Sequence, residues 1–306
     1  MSGLIARAFI ALVAILGSSS FAQSLAPTLQ TNFIAFPVTT LEGKALTVTG
    51  KLQIPRALTG KAPAVVILHG SAGVDSRGTL HATIWRGAGF VTLELDLWGP
   101  RGLTGGSGSR SSHPSENLPD VYGAFSYLAR LPQVDARRIG IMGFSWGGVL
   151  ALLTAQKDLT ARFLKDGQRF AAHLSFYPAI CWGLNRVPGF EWRGFTDAPI
   201  RILVGALDRY EADPQGCEKM LERSHPRIAL TSPCASLKVA YHGFNMLEAS
   251  STYPDPYTNQ GRGGEGYSES NPKARLESRV DVLRFFSRLQ TTSGLNLELF
   301  ALTRGI

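Results

Sequence analysis

A chain of 306 residues, 44% hydrophobic and only 18% charged, has the material to bury one large core, and α/β folds of this length commonly form a single domain. The formal charge is +8, and its excess is scattered in ones and twos (Arg137, Arg138, Lys165, Arg169, Lys273, Arg275) with no basic stripe or aromatic interleaving, which argues against a nucleic-acid partner. Three cysteines without a Cys-x-x-Cys pair, and no histidine at metal-ligand spacing, argue against a metal, and no organic cofactor is implied.

The first segment, MSGLIARAFIALVAILGSSSFA, has one Arg, an apolar run from Ala8 to Gly17 and small residues at Ser20 and Ala22. This is the layout of a secretory signal peptide over residues 1–22, cleaved after Ala22, and the run is too short to span a bilayer. Cleavage removes Arg7 and takes the charge from +8 to +7. The remainder, 23–306, reads as one exported catalytic domain with no later membrane segment. Residues 32–54 alternate and turn at Glu42-Gly43, predicting an antiparallel pair at a sheet edge.

Apolar runs of strand length follow at 62–70, 90–98, 138–144, 171–180, 199–207 and 236–243. They are apolar on both faces, as strands buried in a parallel sheet are. Helical patterns occupy 77–88, 119–131, 148–157, 214–224 and 272–289 between and after them. The alternation predicts a doubly wound α/β fold with a mostly parallel sheet of about eight strands and helices on both faces. Three Gly-rich polar stretches, 99–117, 182–197 and 248–271, read as surface loops.

At 139–153, IGIMGFSWGGVLALL, a strand pattern meets a helix pattern across Gly143-Phe144-Ser145-Trp146-Gly147. This fits a nucleophile elbow, in which a serine takes a strained turn and flanking glycines let strand and helix approach closely. A serine hydroxyl needs a base, and the base needs an orienting acid. For this fold the acid and then the histidine follow the serine in the chain. Of six histidines only His173, His225 and His242 follow Ser145. His173 lies inside an apolar strand and His225 at a helix end, whereas His242 follows LKVAY at the sheet rim and is the expected base. Asp208, which ends IRILVGAL, is the favoured acid. Asp213 and Glu211 remain alternatives, and Asp197 precedes its strand and belongs at the opposite end. The expected oxyanion donors are the N–H groups of Trp146 and of Ser71, in the loop His69-Gly70-Ser71-Ala72-Gly73 after the first parallel strand. His69 has no ligand partners beside it and is read as shaping that loop.

With LHGSAG, LDLWGPRG, RRIGIMGFSWGG, VGALDRY and AYHGFN in this order, residues 60–290 resemble the dienelactone hydrolase family of α/β-hydrolases. The resemblance implies an acid after the penultimate strand and a base after the last, matching Asp208 and His242. The family's namesake enzymes are cytosolic and carry cysteine in the elbow, where this chain has Ser145. They hold a substrate carboxylate with two arginines; Arg101 could match one, displaced by a residue, and the other falls on Met246. Arg101 therefore either reaches over the serine or is a solvated loop arginine. Met246 with Trp98, Trp146 and Phe244 would form an apolar pocket for neutral esters.

The expected activity is hydrolysis of a small-molecule carboxylic ester or lactone through an acyl-enzyme on Ser145, with no membrane association after processing. An amidase or peptidase on the same fold, or a non-catalytic binding protein, is the alternative. A disulfide is expected between Cys181 and Cys217, which follow neighbouring strands at their carboxyl ends, while Cys234 precedes its strand.

Overall fold

In the computed structural model, which describes residues 29–290 except 57, 59, 184–190, 192–193, 212 and 225–233, the FIAFPVTTLEGKALTVTGKLQIP segment forms the expected hairpin. Strand β1 (Leu29–Thr39) pairs antiparallel with β2 (Ala45–Pro55). Gly43 closes the turn at φ 79°, a left-handed conformation that costs glycine nothing, and its N–H donates to Thr40 O at 3.0 Å. The leader segment 1–22 and His225 lie outside the described residues. No helix among the described residues is long and apolar enough to cross a membrane.

Strand β3 (Ala62–Leu68) is buried at every position, so it needs cover on both faces. It lies parallel between β4 (Val91–Asp96) and β5 (Val134–Phe144), and β6 (His173–Phe176), β7 (Ile200–Gly205) and β8 (Cys234–Leu237) continue the parallel array. The eight strands run in the order β1-β2-β4-β3-β5-β6-β7-β8, with β2 joining β4 antiparallel. The sheet is thus mostly parallel, as the alternating pattern predicts.

Side-chain period 2 divides the core into two layers. Val66 and Leu68 face one layer together with helices α2 (Leu118–Ala129) and α3 (Trp146–Leu153). Val65 and Ile67 face the other, beneath α1 (Ser76–Gly87) and the terminal helix, Pro272–Ser287. The terminal helix starts where Asn271 accepts from Ala274 N at 3.0 Å with Pro272 at its first position, a favourable start because proline lacks an N–H that would go unpaired there. Two shorter helices complete the described set as they bear on the site: α4 (Lys157–Phe163) and α5 (Gly216–Ser224).

Two expectations are corrected. The last parallel strand does not run to residue 243; β8 stops at Leu237, and Val239 enters the left-handed region at φ 54°. The chain turns there because Gly205 packs against Ala240 O so closely that a Cβ would sit 2.3 Å from it, and this contact carries His242 across toward the end of β7. The stretch 248–271 is not wholly irregular either. It holds a hairpin of β9 (Ser251–Pro254) and β10 (Glu265–Ser268), short strands, the first largely exposed, without the apolar alternation that would announce them.

Two core histidines set an acid limit on stability. Burial pushes both His81 and His173 down to about 3, and His173 Nδ1 lies 3.1 Å from Ala151 O and 3.2 Å from Thr154 Oγ1. Each is neutral in the folded chain and takes up a proton below 6.5 once unfolded, so their contribution is complete above 6.5 and is lost as pH falls toward 3. In that window the two histidines should contribute up to two protons to the fall of unfolding free energy, about 2.7 kcal/mol per pH unit at most, opposed above 4.5 by Glu211, whose carboxyl is raised to about 8 in the folded chain. Replacing His173 by Gln should halve this part of the slope; an unchanged slope would contradict the neutral buried state.

Candidate active site

The five residues at the seam fold tightly because glycine flanks the serine. A Cβ on Gly143 would lie 2.0 Å from Gly147 O, and one on Gly147 would lie 2.5 Å from Leu68 O. No other residue fits either place. Ser145 itself is held at φ 51°, ψ −110°, a conformation that side-chain-bearing residues rarely adopt. Its N–H donates to Phe176 O at 2.9 Å and the Gly147 N–H donates to His69 O at 3.1 Å, so the turn is tied to both neighbouring strand ends. Trp146 begins α3, and its N–H belongs to the first turn, which has no intrahelical acceptor.

His242 lies beside Asp208, with Nδ1 2.7 Å from Oδ2 and both side chains buried. Tyr210 N donates to the second carboxylate oxygen at 2.9 Å, fixing the plane of the acid. The imidazole is held between Tyr177 and Tyr210, whose ring centroids lie 4.6 and 4.5 Å away. The hairpin absent from the sequence reading supports the same loop: His242 bridges Ser268, and Glu269 N donates to His242 O at 3.1 Å. Ser145 and His242 line one cavity; among the described residues no hydrogen bond joins them. Such links are often long before substrate binds.

The other acids are engaged elsewhere. Asp213 pairs with Lys219 Nζ at 2.9 Å on the surface. Glu211 is buried and accepts from the amides of Cys181 (2.9 Å) and Trp182 (3.2 Å); burial pushes its carboxyl up to about 8 against the pull of those amides. Asp197 lies before β7, at the far end of the sheet.

The loop after β3 is shaped as the sequence suggests. Leu97 N donates to His69 Nε2 at 2.9 Å, which leaves Nδ1 as the donor to Gly70 O at 2.7 Å and fixes one neutral tautomer. Trp98 Nε1 and Gly106 N donate to Ser71 O at 3.0 and 2.7 Å, turning that carbonyl away from the serine. Trp98 is therefore a support beneath the loop, 2% exposed, and not part of the cavity wall. Phe244 is likewise buried, packed on Phe176 and Tyr177. Met246 does line the cavity that holds His242.

Arg101 does not reach over the serine, nor is it solvated. It binds Asp120 Oδ2 at 2.6 Å and Oδ1 at 3.1 Å, and also donates to Leu97 O and Glu116 O. A carboxylate inside the protein, pushed up by burial, outcompetes any ligand for it. Arg101→Ala should cost about 2 kcal/mol through the bereft Asp120, measured by chemical denaturation. It should leave unchanged the ratio of kcat/KM for neutral and carboxylated esters. Arg77 lines the cavity that holds His242, and a second arginine that faces the site is Arg110, which the sequence pattern does not single out. Its guanidinium covers Trp146 at 4.7 Å and Tyr257 at 4.8 Å, and donates to Ser71 Oγ. Nothing in the local sequence separates the two loop arginines, Arg101 and Arg110; the difference lies in what packs around them.

Two cavities meet at Ser71, Ser145, Tyr210 and Asp255. One, about 220 Å³, is walled by Arg110, Trp146, Val149, Ile180, Trp182 and Tyr257. The other, about 400 Å³, includes His242, Asp75, Arg77, Met246, Glu248 and Ser251. Cys181 and Cys217 form a disulfide beside the first cavity, with Cα atoms 4.8 Å apart, and Cys234 is free. Glu211 sits against this pair, and because both sulfurs are bonded to each other the cluster offers no thiolate to a metal.

An eight-stranded, mostly parallel sheet with a serine at a strained strand-to-helix turn is the α/β-hydrolase architecture. The chain belongs to the dienelactone hydrolase family, whose model matches residues 48–289. It is 28% identical over 167 residues to an uncharacterized protein of Mycobacterium tuberculosis, a match covering 52% of this chain and 57% of the relative, so it spans little more than half the length of that curated relative. Among solved structures it is similar to a putative dienelactone hydrolase from Klebsiella pneumoniae (TM-score 0.58, 17% identity, 85% of this chain and 99% of that one). It is also similar to esterase 2 of Thermogutta terrifontis, solved phosphorylated by paraoxon (TM-score 0.56, 16% identity, 84% and 94%). These two likenesses are of fold.

Proposed function

We propose that this protein is an exported serine esterase that cleaves a carboxylic ester or lactone through an acyl-enzyme on Ser145. The observation that carries the reading is the buried His242–Asp208 pair at 2.7 Å on the wall of the cavity that Ser145 enters from its strained turn. Because Asp208 engages Nδ1, Nε2 is the nitrogen left to exchange protons with substrate. Ser145 Oγ adds to the ester carbonyl as its proton passes to Nε2, and the carbonyl oxygen becomes an oxyanion facing the N–H groups of Trp146 and Ser71. The bond to the alcohol oxygen then breaks and His242 returns the proton to the departing alcohol. Water repeats the sequence on the acyl-enzyme, releasing the acid and restoring Ser145.

The test is labelling with a fluorophosphonate, followed by turnover of p-nitrophenyl esters of rising chain length with an amide control. Label on Ser145, absent in Ser145→Ala, with esters faster than the amide, is the expected result. Label on another residue, or an amide cleaved as fast, would overturn the esterase reading. Export rests on the leader pattern and on a disulfide that an oxidising compartment favours. Intact mass should place Gln23 at the mature N-terminus. A mature protein retaining Phe9 to Ile15 would refute export by cleavage.

A further inference from the structure

The two cavities differ in chemistry, and the reaction decides which part of a substrate enters each. In the tetrahedral adduct on Ser145 the leaving oxygen must face His242, which protonates it, while the oxyanion faces the Trp146 and Ser71 amides. His242 lines only the larger, more polar cavity, and Trp146 only the smaller, more apolar one; Ser145 lines both. From this juxtaposition, and resting on the serine-esterase reading above, we infer that the apolar cavity takes the acyl group and the polar cavity the alcohol, so that the substrate is an ester of an aromatic acid with a hydroxyl-bearing alcohol.

The acyl arm is the more defined of the two. Val149, Ile180, Trp182 and the ring of Trp146 wall it, and at about 220 Å³ it exceeds the roughly 150 Å³ that suffices for benzene. Polar groups interrupt the apolar wall, and the charged donor among them is Arg110. Arg110 Nη2 is buried with no hydrogen-bond partner among the described residues, and its side chain is 8% exposed. Asp255 Oδ1 lies 4.0 Å from it, near enough to offset the charge but beyond hydrogen-bond reach. A guanidinium already offset in charge, yet short of an acceptor, suits a neutral oxygen on the acid's ring, such as a hydroxyl or methoxy group, better than a second carboxylate.

The alcohol arm is built otherwise. Asp75 is paired with Arg77, and Glu248 accepts from the amide and hydroxyl of Ser76, so these carboxylates are held in place on the cavity wall. With Ser107, Ser251 and Ser268 on the same wall, this arm carries both acceptors and donors suited to a polyol.

The experiment compares benzoate, 4-methoxybenzoate and acetate esters of glycerol and of ethanol, with acylation and deacylation separated by burst kinetics. Glyceryl esters should exceed ethyl esters in kcat/KM, and 4-methoxybenzoates should exceed benzoates. Val149→Phe should lower kcat/KM for benzoates at least about tenfold and spare acetates, which serve as the control for folding. Trp182→Ala should instead move the optimum toward larger acids. Ala249→Phe, in the alcohol arm, should reduce the preference for glycerol over ethanol and leave the deacylation rate of benzoates unchanged, since esters of one acid share one acyl-enzyme. Loss of benzoate turnover in Ala249→Phe with none in Val149→Phe would reverse the two arms and refute the inference. A burst with no preference for glycerol or for the methoxy group would refute the substrate class alone. Absence of label on Ser145 would remove the esterase reading itself.

Discussion

Ser145→Ala and His242→Ala are each expected to lower kcat by about 10⁴-fold or more with the fold retained, because nucleophile and base act as a unit whose losses do not add. The double variant should therefore be little worse than either single one. Asp208→Asn should cost nearly as much: an amide in place of Oδ2 would present N–H toward His242 Nδ1, or favour the tautomer with the proton on Nε2, and either change removes the base. Asp213→Asn should be close to neutral, since that carboxylate meets only Lys219 and Gln215 at the surface. Steady-state kinetics on one p-nitrophenyl ester, with circular dichroism to check folding, reads all five. A severe Asp213→Asn beside a mild Asp208→Asn would move the acid and overturn the geometry argued above.

Removing the disulfide should produce the second large effect. Cys181 and Cys217 are 36 residues apart, and the loop-closure model gives about 3–4 kcal/mol for a bridge of that span. For a chain of this size the loss corresponds to a Tm lower by about 6 °C. The bridge joins the segment that carries Trp182, on the acyl-arm wall, to α5 beyond Asp208. The Cys181→Ala/Cys217→Ala variant should therefore raise KM for bulky acyl esters more than it lowers kcat, and a reductant should do the same to the parent. If the variant melts with the parent and keeps its KM, Glu211, through the Cys181 and Trp182 amides, holds this wall without the bridge.

The proposed triad could be read from the sequence because each part has a local signature. Gly143-Phe144-Ser145-Trp146-Gly147 marks the strained turn by residue type alone, and Asp208 and His242 stand at the ends of segments whose order along the chain follows the fold. The pocket was not legible in this way. Arg101 and Arg110 lie nine residues apart in one Gly- and Ser-rich loop, and their separate fates depend on Asp120, which reaches Arg101 from α2, and on Trp146 and Tyr257, which flank Arg110. Trp98 has the composition of a pocket residue, yet its indole N–H is committed to Ser71 O from below.

By itself, then, the sequence determined the mostly parallel sheet, the seam at Ser145, the Cys181–Cys217 pairing and the residues able to act as acid and base, because apolar periodicity, glycine placement and chain order are local or topological properties. Only the tertiary structure decided where β8 ends, how the β9–β10 hairpin props the His242 loop, which of the two loop arginines faces the site, and that the site divides into a more apolar arm and a more polar one. Those outcomes depend on contacts between residues far apart in the chain. A side chain's partner there is set by packing and by competition among buried charges, and neither is written in the residues beside it.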